Sequence, residues 1–135
     1  MKTPAGLLAL ICLLLSFENV SARAAEIEME IFYLPHRPAM TVVGKVLQIA
    51  GEFAGVTVHK YSFDDPNSRK MVAKYHLTEH VPVVVFINGK DSFTVDGRAL
   101  RLRNFPKGDS FVPMFTGEWD YADLRTILAG LAGEK

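Results

Sequence analysis

The run Val81-Pro82-Val83-Val84-Val85-Phe86-Ile87 constrains the fold more than any other part of the chain. It is nearly all β-branched or aromatic and offers no polar position. A strand that faced water on one side would alternate; this one does not, so it must be covered on both faces. Such cover comes from apolar layers above and below the sheet, which a single domain obtains by packing amphipathic helices against it. Asn88-Gly89 follows at once and supplies the two positive-φ positions of a tight hairpin, so the chain is expected to turn directly into a strand at 92–95.

The remaining segments supply the partners. Residues 27–34 read as a first strand, with Ile27, Met29, Ile31 and Tyr33 on one face and Glu28, Glu30, Phe32 and Leu34 on the other. From Pro38 the spacing becomes helical, with Ala39, Val42, Val43, Val46, Ile49, Ala50 and Phe53 three and four apart and Gly55 placed to end the helix. A second strand is expected at 56–63. Asp64-Asp65-Pro66 is a helix-start signal for a short helix at 68–75. The last helix begins at Asp120, which can cap it, with Asp123 in its first turn, Trp119 able to staple onto Leu124, and an apolar stripe of Leu124, Ile127, Leu128 and Leu131. The order β-α-β-α-β-β-α, with an irregular stretch at about 96–114, predicts an α/β sandwich whose central mixed sheet is flanked by helices.

The N-terminus carries Lys2, an apolar run at 7–15 and then Val20-Ser21-Ala22-Arg23-Ala24-Ala25, the order of a secretory signal peptide. Residues 1–24 are therefore expected to be removed, 25–135 to form one domain, and the protein to be periplasmic or secreted. The apolar run is shorter than the roughly 20 residues that span a bilayer, and no second candidate follows, so no permanent membrane span is expected. Cys12 is the only cysteine and lies within the segment to be removed; Ile11 stands where a lipid-attachment site wants a small residue. Residues 25–135 thus have no thiol for a disulfide or for nucleophilic chemistry. Of 15 basic and 15 acidic side chains, Lys2, Arg23 and Glu18 fall in the leader, leaving 13 and 14. That near-neutral balance does not point to nucleic acid as a partner.

Lys74-Tyr75-His76-Leu77, followed by the run from Val81 to Ile87 and by Asn88-Gly89-Lys90, resembles the segment around the cis-proline and following hairpin of the thioredoxin superfamily. The resemblance covers most of 25–135 and implies a thioredoxin-like three-layer sandwich with Pro82 as its cis-proline. It places His36 at the position of the nucleophilic cysteine, Arg37 and Pro38 between, and Ala39 at the resolving cysteine. Gly44 falls where many members have a helix-kinking proline, and Glu30 where classical members bury a carboxylate. His36-Arg37-Pro38-Ala39 in place of Cys-x-x-Cys removes both redox partners, so disulfide reductase activity is not carried over. The segment at about 96–114 is longer than a minimal member needs.

These residues predict an exported, redox-inactive binding or accessory module. Its expected contact surface joins His36, Arg37 and Pro38 with Val81 and Pro82, because family members dock extended peptide there through backbone hydrogen bonds beside the cis-proline. The expected partner is a protein or peptide. The alternative is a cleft enzyme or metal-binding protein using His36 with His80. No catalytic residue, metal or cofactor is assigned, because no base, nucleophile or oxyanion donor can be named beside His36. His76 and His80 stand four apart, which pairs them only on a helix. Arg98, Arg101, Arg103 and Lys107, with Phe105 and Phe111 nearby, form a second candidate surface for an anionic or protein partner, or simply a solvated loop; an assembly role would run through this segment. Glu28 and Glu30 read either as an acid pair or as the solvated end of a strand. Protein recovered from the cell envelope is expected to begin at Ala25. An intact mass that retains residues 1–24, or a lipid adduct on Cys12, would overturn this.

Overall fold

The computed structural model describes residues 23–78, 80–109 and 112–134; the expected leader lies outside these except for Arg23 and Ala24, as does Phe111. At its centre is β3, Val83–Ile87, in which every residue is buried. β1, Ile27–Tyr33, runs antiparallel to it, with Met29 opposite Ile87 and Tyr33 opposite Val83. On the other side of β1, β2, Val56–Ser62, runs parallel from Ile27 opposite Val56. The resulting three-stranded mixed sheet has the order β2-β1-β3. Three helices, α1 (Ala39–Ala50), α2 (Arg69–Lys74) and α3 (Tyr121–Ala132), complete a mixed α/β fold.

Two cores follow from the alternation of side chains on the strands. Met29, Ile31, Val83, Val85 and Ile87 pack with Val42, Val46 and Ile49 of α1 and with Leu124, Ile127 and Leu128 of α3. Phe32, Val84 and Phe86 form a second, smaller core on the opposite face with Met71 and Val72 of α2 and with Tyr61 and Tyr75. Double burial is what makes β3 continuous in apolar residues, and each such side chain contributes about 1.5–3 kcal/mol. Glu28 is exposed and Glu30 half-buried.

The element ends follow local chemistry. Asp120 accepts from the Asp123 N–H at 2.8 Å, the cap expected for α3, and the Asp123 carboxylate accepts from the Asp120 N–H at 3.0 Å, which makes the cap reciprocal. Trp119 and Leu124 are both fully buried at the staple positions, but Leu131 is exposed, so the buried stripe stops at Leu128. α1 stops earlier than its apolar spacing implies: the N–H groups of Glu52 and Phe53 reach back only three residues, to Ile49 and Ala50, at 3.0 and 3.2 Å. Gly55 is not the helix stop. At φ 81 it turns the chain into β2, and a Cβ there would lie 2.4 Å from the Ala25 carbonyl oxygen. Before α2, Asp65 accepts from the Asn67 N–H at 2.9 Å and Pro66 opens a short 3₁₀ turn, Pro66–Ser68.

The largest departure from the expected order comes after β3. Asn88 and Gly89 turn the chain with φ 49 and 78, yet the strand that follows does not pair with β3. Instead β4, Ser92–Val95, pairs antiparallel with β5, Arg98–Arg101, in a separate two-stranded sheet closed by Asp96-Gly97 at φ 50 and 75. Residues 102–104 then return along the free edge of β3: the Val85 N–H donates to the Leu102 carbonyl and the Asn104 N–H to the Val83 carbonyl, both at 2.9 Å. β3, buried on both faces, needs a partner on that edge, and in β4 only Val95 is buried enough to belong inside. Among the described residues no helix is long and apolar enough to cross a membrane.

The fully buried Trp119 locks the returning segment in place, its indole N–H directed at the carbonyls of Arg103 and Asn104 at 3.1 and 3.2 Å. Gly117 lies under this contact, where a Cβ would come 2.2 Å from the Arg103 carbonyl oxygen and 3.1 Å from the Trp119 ring. Gly117→Ala is therefore expected to destabilise the protein by about 1–3 kcal/mol in urea unfolding, as overpacking does. Gly44→Ala, in α1 where a Cβ meets nothing within 4 Å, is expected to stabilise it by up to about 1 kcal/mol. Equal effects from the two would refute this packing account.

Candidate functional site

The loop between β1 and α1 is held against the entry to β3. Leu34 donates its N–H to the Pro82 carbonyl at 3.0 Å, and the His36 and Pro38 carbonyls accept from Met40 and Val42 at 3.1 and 3.3 Å to start α1. Pro38 follows a cis peptide bond with Arg37. Facing this loop is the returning segment. Phe105 exchanges backbone hydrogen bonds with Phe115 and Gly117, at 2.9 and 2.7 Å, and a 3₁₀ turn, Pro113–Phe115, follows Val112. Between loop and segment lies a cleft of about 160 Å³. Leu34, Pro38, Ala39, Pro82, Phe105, Val112 and Phe115 line it with apolar surface, and His36, Arg37 and His80 stand at its polar side.

His36, Arg37, Pro38 and Pro82 therefore come together as the sequence implied, and His80 joins them. Val81 does not. Its side chain packs in the smaller core, on the other face of the sheet. The peptide bond at Val81-Pro82 is not among the cis bonds of the structure, which corrects the expectation for Pro82; the cis proline is Pro38. Nor is the backbone beside Pro82 open for strand addition, because the Val81 N–H donates to the Thr78 carbonyl at 3.3 Å and the Pro82 carbonyl already accepts from Leu34. Glu30 is also elsewhere. It shares the Phe32 and Phe86 face of the sheet and accepts a short hydrogen bond from the Tyr75 hydroxyl, whereas Ala39 belongs to the larger core. Burial and this carboxylate push the Tyr75 hydroxyl above its ordinary range. Glu28 faces His59 at 3.1 Å instead of Glu30, so the two acids form no pair.

The basic residues of the long segment are mostly engaged. Arg98 bonds Asp123 at 2.8 Å and the Glu118 carbonyl at 3.1 Å, Arg101 reaches Asp91 at 3.2 Å, and Arg103 makes a short ion pair with the same carboxylate. Lys107 is exposed. The partners are thus Asp91 and Asp123, not the neighbouring Asp96 and Asp109. Asp109 serves another purpose: it takes Lys45 of α1 at 2.6 Å and the Tyr121 hydroxyl of α3 at 2.9 Å, fixing the segment across both helices. Those two bonds hold the Asp109 carboxyl below its usual range, while burial and Asp109 push the Tyr121 hydroxyl well up.

Chemically, the cleft can seat an apolar group and present two imidazoles and a guanidinium beside it. His36 lies 3.9 Å from Asp64, and both are exposed. Among the described residues no three His, Cys, Asp or Glu side chains gather closely enough to hold a metal ion. His76, at φ 50 just beyond α2, does not line the cleft with His80. A larger open groove, about 750 Å³, runs between the β4–β5 hairpin and the end of α3; among the described residues of the candidate binding surfaces Arg101 lines it. The smaller cleft gathers four separate stretches of chain and is the better candidate. Phe105 could be marked as an aromatic in the sequence, but the contribution of Val112 and Phe115 depends on the return of the chain along β3. Comparison with protein-family models, curated proteins and solved structures gives no match.

Asp91 anchors the hairpin to the sheet. Burial raises its carboxyl, but the hydrogen bond and charge of Arg103, the charge of Arg101 and the Ser92 hydroxyl outweigh that and hold it below the ordinary 3.8. A depressed folded value gives a contribution that is complete above the ordinary value and is lost as pH falls through the folded one. Asp91→Asn is accordingly expected to cost about 1–3 kcal/mol at neutral pH, with the gap from the native protein closing in acid. A gap in melting temperature that stays constant down to about pH 2 would overturn this assignment.

Proposed function

We propose that this protein is an exported, redox-inactive thioredoxin-like domain, a three-layer sandwich acting as a binding or accessory module, periplasmic or secreted, for a protein or peptide partner. The observation that carries the reading is the cleft at Pro38, Pro82, Phe105 and Phe115, an apolar recess beside the loop where the resemblance would place redox thiols and where this chain has His36 and Ala39. The order β1-α1-β2-α2-β3 and the mixed sheet support the fold assignment. With the backbone beside Pro82 already hydrogen-bonded, the partner is held by insertion of an apolar side chain into the cleft rather than by adding a strand. Pockets of this kind supply the anchoring contact of an interface, and the surrounding polar groups orient it.

The test compares partner capture by surface variants that remain folded by circular dichroism. The double variant His36→Ala, Arg37→Ala, and separately Phe115→Asp, should each reduce capture at least about tenfold, the loss typical of a central anchor. Arg101→Ala with Lys107→Ala, outside the cleft, should leave it within about twofold. If only the second pair matters, the long segment is the functional surface and the cleft is not.

A further inference from the structure

Among the described residues lining the cleft the polar side chains are Arg37, His36 and His80, with no carboxylate; Asp64, outside the lining, faces His36 at 3.9 Å. Arg37 stands out as the formal charge of this group, in a chain whose balance of 15 basic and 15 acidic side chains counts histidine as neutral. It stands out also because Arg98, Arg101, Arg103 and Arg125 each have a carboxylate partner. Arg37 and His80 are exposed, and among the described residues neither has an ion-pair or side-chain hydrogen-bond partner. Two exposed methionines adjoin lining residues in the chain. Met40 follows Ala39 in the chain and is 43% exposed, and Met114, between Val112 and Phe115, is 81% exposed. Exposed methionines offer adaptable apolar contact, because the unbranched thioether side chain repacks around different partners.

We infer that the occupant of the cleft is an acidic peptide segment that inserts one apolar side chain between Pro38 and Phe115 and sets its flanking carboxylates against Arg37 and His80. The inference rests on the reading of the cleft as a peptide site and names the class of peptide. Apolar burial supplies the anchor, and the unpaired guanidinium, which presents a fork of donors to a carboxylate, selects the charge of the flanks. A basic segment would bring like charges together at the same rim. An uncharged one would forgo the ion pairs but keep the anchor.

Fluorescence anisotropy with the purified protein separates these cases using four labelled peptides. One has a single leucine flanked by glutamates and aspartates, the second has the same leucine flanked by glutamines and asparagines, the third has lysines instead, and the fourth is the acidic peptide with glycine replacing leucine. The acidic leucine peptide should bind roughly fivefold tighter than its amide counterpart, the gain an exposed ion pair with Arg37 provides, and the lysine and glycine peptides should bind weakest. Raising salt to about 0.5 M should erase the preference for acid without removing the contribution of leucine. Arg37→Gln should bring the acidic and amide peptides level, and Arg37→Glu should invert their order. Equal binding of acidic and amide peptides by the native protein overturns the inference and leaves the peptide cleft standing. Binding of the acidic glycine peptide as tightly as the leucine one overturns it as non-specific charge attraction. If no leucine peptide binds, the peptide cleft itself is refuted and the inference with it.

Discussion

The burial of β3 on both faces is the constraint from which the rest of the architecture follows. Five consecutive apolar residues cannot be sheltered by one layer, so α1 and α3 cover one side and α2 with the aromatic group of Phe32, Tyr61, Tyr75 and Phe86 covers the other. The same burial applies to the backbone. One edge of β3 is satisfied by β1; the other must find donors and acceptors elsewhere in the chain, and it finds them in residues 102–104. The excursion through β4 and β5 is what allows those residues to arrive antiparallel and in register.

That return determines where the cleft forms. Once 102–104 lies along β3, Phe105 is carried to the end of the strand nearest Pro82, and the turn holding Val112 and Phe115 closes over the loop that begins α1. Trp119 fixes the arrangement from α3 and Asp109 fixes it from between α1 and α3. The long segment thus contributes to both the hairpin and the recess. Its arginines fasten the hairpin, and Phe105 builds part of a wall of the recess.

Much of this was legible in sequence where the determinants are local. The β-branched run, the helix spacing from Ala39 and the cap at Asp120 each depend on residues within a few positions of one another, and each element forms, though α1 ends at Ala50, before the Phe53 its spacing included, and β3 begins at Val83. β5 was missed although Asp96-Gly97 is as strong a turn signal as Asn88-Gly89; the flanking arginines of Arg98–Arg101 disguised the short strand as loop. Half of the candidate site was likewise visible, because His36 to Ala39 and Pro82 stand out by their place in the order of elements. The other half was not, since the approach of Phe115 to Pro38 depends on an indole hydrogen bond and a glycine contact between residues far apart in the chain. Val81 illustrates the limit of alternation alone: two residues before β3 it faces the smaller core, while Pro82 beside it lines the cleft.

The pairing of β1 with β3 has a kinetic side. All of α1, β2 and α2 lies between those two strands in the chain, and no covalent cross-link from 25 onward shortens the search, since that stretch contains no cysteine. Closing so long a loop before either strand is rewarded is the slow kind of step in folding. The β4–β5 hairpin, with its tight turn, is the opposite kind, a local unit able to form early and then carry residues 102–104 toward an edge that does not yet exist. The order of assembly is thereby set by topology, and the cleft, which needs both the sheet and the returned segment, is among the last features to be completed.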